Sequence, residues 1–142
     1  MNDDDLERFV QAQAPYMAAV RAELAAGRKC THWMWFVFPQ LRGLGRSPMA
    51  RHFGLRSLDD ARAYLAHPVL GPRLRECVEL VLGVQGRTAH AIFGSPDDLK
   101  LRSCLTLFRE AEAAQGVFAR ALDQYFGGQP DPMTLHLLAQ AR

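Results

Sequence analysis

Lys29, His32, Trp33, Trp35 and Gln40 lie within twelve residues of one another and combine positive charge, a titratable imidazole and two indole rings. An indole can stack on a planar ring, and an ammonium group can pair with an anion. Pockets for nucleotides and phosphosugars require both properties. We therefore predict that this segment contributes to a site for a small anionic ligand.

A second group of charged residues, further along the chain, contains Asp97, Lys100 and Arg102. If it meets the first group across a cleft, Lys100 and Arg102 would add positive charge to the ligand site. Should the protein be an enzyme, His32 is the candidate acid or base near neutral pH and Asp97 is its candidate partner. The reaction stays open between a hydrolysis and the cleavage of a glycosidic bond.

Each of these residues also has a purely structural interpretation. Trp33 and Trp35 belong to the apolar run 33–38 and could simply be core residues. Asp97 could be a helix-start acid, since negative charge is favoured at the N-terminus of a helix. Lys100 and Arg102 could form a solvated helix face. Only the geometry of the folded chain separates these alternatives.

The charge distribution suggests a rival function. The net charge is only +2, but residues 24–58 hold no acid and six bases, which are Arg28, Lys29, Arg42, Arg46, Arg51 and Arg56. Such a window creates a local positive field. The rival hypothesis is therefore an interaction module whose Arg-rich surface at 42–56 contacts an acidic partner protein, without catalysis. The sequence has no RNP-like or zinc-finger spacing, which argues against a nucleic-acid partner.

Cys30, Cys77 and Cys104 are the three cysteines, and none has the spacing of a metal site. The five histidines add no H-E-x-x-H or H-x-H grouping, so we expect neither a metal nor another cofactor. An acidic N-terminus without an apolar signal segment predicts a cytoplasmic protein with reduced thiols.

The 142 residues are 49% hydrophobic and 23% charged, which predicts one folded domain over 1–142. No apolar run is long enough to span a membrane. We expect a monomer. The abundance of Ala and Leu, with only 8 Pro, indicates a mainly α fold of about seven short helices around one core.

Several helix starts can be located in the sequence. Asn2 and Asp3 are the candidate N-caps of the first helix, and Ser47 and Ser57 are predicted N-caps of later helices. Ser95 is predicted to cap a helix with Pro96 in its first position. The run 33–38 is either a buried strand or a short buried helix, because periodicity does not separate the two in so short a segment.

The segment HWMWFVFPQLRGLGRS makes the sequence specific enough to compare with a family. Together with DLERFVQAQ, SLDDARAYLAHPVLGPRL and IFGSPDDLKLRSCLTLF, it resembles the bacterial family known as domain of unknown function 1810. The resemblance covers nearly the whole chain and implies a small, single-domain, mainly α-helical fold, but no particular activity. Its two polar motifs suggest one shared site. They match Lys29, His32, Trp33, Trp35, Phe38, Pro39 and Gln40, and then Phe93, Gly94, Asp97, Lys100, Leu101 and Arg102.

Members of that family sometimes carry the label calpastatin, which is the name of a calpain inhibitor. Calpastatin inhibitors are extended and disordered before they bind. This chain is apolar enough to fold and has no repeated inhibitory unit. The sequence therefore does not support a calpain-inhibitor function.

Overall fold

The fold is mainly helical, as the sequence predicts. The computed structural model describes residues 2–112, 114 and 116–140. Within them are α1 (Asp3–Gln13), α2 (Met17–Ala25), α3 (Met34–Val37), α4 (Pro48–His52), α5 (Leu58–Ala66), α6 (Leu70–Leu82), α7 (Ala89–Phe93), α8 (Asp97–Ala111), α9 (Val117–Phe126) and α10 (Pro132–Gln140). These ranges contain no β-strand beyond an isolated parallel bridge between Leu41 and Leu55. None of the helices described is both long and apolar enough to cross a bilayer.

The structure has ten helices in its described ranges, so the expected count of about seven is too low. Interruptions at Pro15 and Gly116 separate full helices on either side. The ambiguous run 33–38 contains the single helical turn α3, which ends before Phe38. One turn is too short to show a helical repeat in the sequence, which explains why this element could not be assigned.

Five of the described helices begin with a side-chain cap. In each, the capping oxygen accepts a hydrogen bond from the backbone N–H of the third helical residue, which would otherwise be unpaired. The caps are Asn2, Ser47, Ser57, Thr88 and Asp131. The predicted caps Ser47 and Ser57 are therefore confirmed, and of the two candidates for the first helix Asn2 is the cap.

The start of α8 differs from the prediction. Pro96, rather than Ser95, occupies the N-cap position, the Ser95–Pro96 peptide bond is cis, and no side chain caps the helix. Proline carries no side-chain acceptor, so it cannot act as serine would. Asp97 and Asp98 still lie in the first turn, as expected for acids at this end of a helix.

Helix α8 is the central element of the core. Every side chain from Ser103 to Phe108 is buried, so this part of the helix is enclosed on all sides. The helix packs against α5, α7, α9 and α10, while α6 packs against α2, α5 and α9. This enclosure fixes α8 in place, and with it the acidic and basic residues of its first turns.

The bridge between Leu41 and Leu55 brings two irregular segments together. The backbone N–H of Arg42 donates to the Leu55 carbonyl at 2.7 Å, and that of Leu55 donates to the Gln40 carbonyl at 3.0 Å. A Cβ atom on Gly54 would lie 2.8 Å from the Arg42 Cα, so the close approach requires glycine there. The segments 40–42 and 54–56 are consequently held side by side.

Arginine side chains tie distant loops to the helices. Arg87 donates to the carbonyls of Gly27 and Ala91, both at 2.9 Å, and thereby joins the end of α2 to α7. Arg102 donates to the carbonyls of Gln129 and Pro130 at 2.9 and 2.8 Å. These bonds satisfy carbonyls that no helix uses.

Candidate functional site

The Glu23 carboxylate organises the loop that follows α2. It accepts hydrogen bonds from the backbone N–H groups of Cys30 and Thr31 at 2.6 and 2.9 Å, from the Thr31 hydroxyl at 2.7 Å and from the Trp33 indole N–H at 3.1 Å. Desolvation would raise the pKa of Glu23, but these four donors outweigh it and hold the pKa below its ordinary value. The carboxylate therefore stays charged and fixes residues 30–33.

Lys29 lies beneath this loop with only 6% of its side chain exposed. Its Nζ is 2.9 Å from Asp97 Oδ2, donates to the Thr31 carbonyl at 2.6 Å and lies 4.9 Å from the Trp33 ring centroid. The Lys29 backbone N–H also donates to the Ile92 carbonyl at 2.8 Å. The loop after α2 is thus attached to α7 and to the start of α8.

Lys100 shares the Asp97 carboxylate with Lys29. Its Nζ lies 3.7 Å from Asp97 Oδ1 and 5.5 Å from the Trp35 ring centroid, and its side chain is 25% exposed. Lys29 and Lys100 are the only lysines in the sequence. Because two ammonium groups face one carboxylate, this cluster carries one excess positive charge.

Lys100 and Gln40 stand where two cavities adjoin. The inner cavity has a volume of about 10 Å³, room for about one water molecule, and is lined by Met34, Trp35, Phe38, Gln40, Ala50, Phe53 and Lys100. The outer cavity has a volume of about 320 Å³ and is lined by Gln40, Leu44, Gly45, Pro96, Leu99, Lys100, Ser103, Asp131 and Met133. We call the two together the Lys100 groove.

Asp131 lines the outer cavity together with Lys100. Its Oδ2 accepts from the Ser103 hydroxyl at 2.9 Å and from the backbone N–H and hydroxyl of Thr134 at 3.2 and 2.5 Å. The Asp131 backbone N–H donates to the Thr106 hydroxyl at 2.9 Å. These bonds fix the carboxylate between α8 and α10.

The structure brings most of the predicted site residues together. Lys29, Asp97, Lys100 and Trp35 form a continuous chain of contacts, and Gln40 lines the same groove as Trp35 and Lys100. The segment 29–40 therefore meets the first turns of α8 in the folded chain. The spacing of these residues in the sequence could not establish this contact.

Trp33, Arg102 and His32 do not fit their expected places. Trp33 is fully buried, so it has no ring face for a ligand, and its ring lies against the Lys29 ammonium. Arg102 uses its guanidinium on the carbonyls of the 129–130 loop and does not line the groove. His32 is exposed, and no hydrogen bond or ion pair joins it to Asp97 in the described part of the chain.

Sequence reasoning missed the role of Glu23. A glutamate in the last turn of α2 faces the negative end of the helix dipole, where acids are disfavoured. An acid at this unfavourable position, directly before the acid-free window, was the feature of the sequence that could have pointed to Glu23. Asp131 carried no comparable signal, because an acid before proline is an ordinary helix start.

The thiols and acids do not form a metal site in the described ranges. No group of three or more His, Cys, Asp or Glu side chains there could hold a metal ion. Cys30 is exposed, whereas Cys77 and Cys104 are buried among apolar residues. The chemistry available at the groove is therefore that of an ammonium, an amide, a carboxylate and an indole.

Comparison with known proteins identifies the class. The family model described as "Protein of unknown function (DUF1810)" matches residues 3–138, and the chain belongs to this family. The chain is similar to the conserved hypothetical protein Rv1873 from Mycobacterium tuberculosis, known from a crystal structure. The two are 58% identical with a TM-score of 0.94, over 95% of this chain and 96% of that one. No curated protein matches the sequence.

Proposed function

We propose that this protein binds a small phosphorylated metabolite, a phosphosugar in preference to a nucleotide, in the Lys100 groove. The position of Lys100 carries the proposal, since this residue lines both cavities and lies against the Trp35 ring. A partly exposed ammonium beside an indole face is available to pair with an anion. The excess positive charge of the Lys29–Asp97–Lys100 cluster favours the same type of ligand.

The polar groups around Lys100 support a ligand with a charged end and a hydroxylated end. Gln40 offers an amide that both donates and accepts hydrogen bonds. Asp131 repels an anion but accepts hydrogen bonds from hydroxyl groups. A phosphate at Lys100 with sugar hydroxyls toward Gln40 and Asp131 matches this arrangement.

The size of the groove favours a sugar over a base. The inner cavity, of about 10 Å³, has no room for a purine or pyrimidine. The outer cavity, of about 320 Å³, is at the lower end of the range of small-molecule sites. Trp33 offers no stacking surface, and Trp35 is itself half-buried beneath Lys100. A nucleotide would therefore leave most of its base in solvent.

We propose binding only and assign no reaction to the groove. His32 has no hydrogen-bond partner to orient its ring among the described residues. The Asp97 carboxylate is engaged by both lysines. General acid–base catalysis needs an oriented, accessible pair of groups, which these two residues do not form here.

A thermal-shift and calorimetry series tests the proposal. The ligands are glucose 6-phosphate, ribose 5-phosphate, adenosine monophosphate and ADP-ribose, with free glucose and ribose as uncharged controls. At about 100 times its dissociation constant, a ligand stabilises the folded state by about 2.7 kcal/mol. We expect stabilisation by a sugar phosphate, but not by the free sugars.

Two variants locate the binding. Lys100→Met removes the ammonium and keeps the length of the side chain. Arg109→Met removes a charge from the same helix, where Arg109 pairs with its neighbour Glu110. Loss of the shift in Lys100→Met and its retention in Arg109→Met support the groove. Equal shifts in both variants, or no shift in the parent protein, overturn the proposal.

A further inference from the structure

A separate cavity of about 250 Å³ is surrounded by basic side chains. It is lined by Asp5, Arg8, Arg42, His52 and Arg56, and we call it the arginine cavity. It shares no lining residue with the Lys100 groove. Arg8 comes from α1, His52 from α4, and the other two arginines come from the segments joined by the Leu41–Leu55 bridge. The cavity therefore assembles residues that are up to about fifty positions apart in the sequence.

The three arginines are anchored in the same way. Arg8 donates through Nε to the His52 carbonyl at 3.0 Å, Arg42 donates through Nε to the Arg51 carbonyl at 3.2 Å, and Arg56 pairs through Nε with Asp60 Oδ2 at 3.0 Å. Each of these bonds uses Nε, the guanidinium nitrogen nearest the aliphatic part of the side chain. The terminal amino groups are then the ones available to a ligand.

Several of those terminal groups have no partner in the described part of the chain. Arg8 uses Nη1 on the Asp5 carbonyl and keeps Nη2, and Arg42 uses Nη2 on the Gly54 carbonyl and keeps Nη1. Arg56 keeps both of its terminal nitrogens. Guanidinium groups that are held in place and retain free donors are suited to the oxygen atoms of a phosphate.

The charge around the cavity is positive on balance. Arg8, Arg42 and Arg56 face the carboxylates of Asp5 and Asp60, and Asp60 is turned inward, with 4% of its side chain exposed. Desolvation lowers the pKa of Arg8, and the charges of Arg42 and Arg56 lower it further, while Asp5 and Asp60 oppose the shift. The repulsion among three neighbouring guanidinium groups would be relieved by a bound anion.

The backbone fixes the points from which Arg42 and Arg56 leave the fold. Arg42 and Arg56 directly follow the bridged residues Leu41 and Leu55, which are both buried. The absence of a side chain at Gly54 permits the two segments to approach. Main-chain hydrogen bonds thus set the positions from which these two guanidinium groups reach the cavity.

We propose that the arginine cavity is a second anion site, which takes the phosphate or diphosphate group of a small molecule through Arg8, Arg42 and Arg56. Its volume of about 250 Å³ suits such a group and is too small for a whole nucleotide. The acid-free stretch of the sequence supplies Arg42 and Arg56, while α1 supplies Arg8. The site does not depend on the ligand of the Lys100 groove.

Isothermal titration calorimetry with pyrophosphate and orthophosphate tests the proposal on the whole chain, at constant low ionic strength balanced with chloride. The test variants are Arg8→Gln and Arg42→Gln, and Arg42→Lys keeps the charge without the fork of donors. Arg46→Gln is the matched control, because Arg46 is an exposed arginine of the same acid-free stretch that does not line the cavity. Circular dichroism and thermal melting verify that each variant is folded.

We expect pyrophosphate to bind the parent protein, and Arg8→Gln and Arg42→Gln to weaken it about tenfold or more. Arg42→Lys should fall between these variants and the parent. Arg46→Gln should stay within about twofold of the parent. The same titrations, repeated in the Lys100→Met background, measure the arginine cavity after the groove has lost its ammonium, so either proposal can fail without the other.

Further titrations in the Lys100→Met background, where a sugar phosphate has lost its partner in the groove, identify the source of the phosphate. Tighter binding of pyrophosphate than of O-phosphoserine or glucose 6-phosphate indicates a free diphosphate, and the reverse order indicates a phosphate ester. The absence of pyrophosphate binding in the parent overturns the proposal. So does equal weakening by Arg46→Gln, or binding of an Asp/Glu peptide through these arginines when no phosphate compound binds.

Discussion

Lys29 and Asp97 form an ion pair with an Nζ–Oδ2 distance of 2.9 Å, which joins the loop after α2 to the first turn of α8. Both side chains are shielded, with 6% and 20% exposed. Asp97 also accepts the second ammonium, that of Lys100. The Asp97 carboxylate thus positions both the loop and the Lys100 side chain. The stability of the fold and the ligand site therefore depend on the same group.

The first prediction concerns that carboxylate. Asp97→Asn leaves the Lys29 ammonium nearly buried without its counter-charge, which we expect to lower the free energy of unfolding by about 2 kcal/mol. Urea denaturation at neutral pH measures the loss. Asp123→Asn, an exposed acid on α9, is the control and should change stability by less than about 0.5 kcal/mol. Equal losses in the two variants would show that the ion pair contributes nothing.

The second prediction concerns the pH dependence of stability and rests on Glu23. Its pKa is lower in the folded protein than in the unfolded chain, where a glutamate has a pKa of about 4.3. The charged form therefore stabilises the fold fully above that value, and the contribution disappears as the pH falls through the folded pKa. Unfolding experiments from neutral to acidic pH should show this loss.

Glu23→Gln isolates the contribution of that carboxylate. At neutral pH the amide, with one acceptor oxygen facing four donors, should cost about 1–2 kcal/mol. The difference from the parent should shrink as the pH falls below about 4.3, the pKa of an unfolded glutamate, and through the lower pKa of folded Glu23. Glu7→Gln, an exposed site on α1, should show no such convergence. A gap between parent and Glu23→Gln that is constant over the whole pH range would contradict the assignment.

The third prediction concerns thiol reactivity. Desolvation raises the pKa of Cys77 to about 12, helped by the charge of Glu76, and raises that of Cys104 well above its ordinary value. Neither thiol forms a reactive thiolate at neutral pH, and neither is accessible. Cys30 is exposed, so a colorimetric disulfide reagent should modify about one thiol per folded chain and all three after unfolding.

Cys30→Ser provides the matched control for that titration. The folded variant should show no prompt reaction, and the unfolded variant should show the two remaining thiols. Fast reaction of a second thiol in the folded parent would mean that the packing around α6 or α8 opens more readily than their burial indicates.

Helix positions could be predicted where a local signal exists. Ser47 and Ser57 cap their helices because a serine before a helix-forming run satisfies a free N–H wherever the tertiary structure places it. The segment 33–38 could not be assigned, because its conformation depends on what surrounds it. Trp33 and Phe38 are buried equally well by a strand or a helix, and only the assembled core selects the single turn α3.

The candidate site was predictable in part for the same reason. Lys100 and Asp97 are three residues apart on one helix, so their proximity follows from the sequence. The roles of Glu23 and Arg8 could not be inferred in the same way. Arg8 contacts the His52 carbonyl across 44 residues, and no local pattern encodes a contact of that range. The contacts of Arg102 could not be inferred either, because its carbonyl partners lie in a distant loop.

The hydrogen bonds from arginine side chains to main-chain carbonyls suggest what this chain gains from having many more arginines than lysines. Arg8, Arg87 and Arg102 each reach main-chain oxygens between 27 and 60 residues away. A guanidinium can serve two main-chain oxygens at once in a fixed plane, as Arg87 and Arg102 do, whereas an ammonium is a single point of charge on a flexible stem. Exchanging these arginines for lysine would preserve every formal charge and still weaken the connections between helices. In this protein the guanidinium groups hold the loops against the helices.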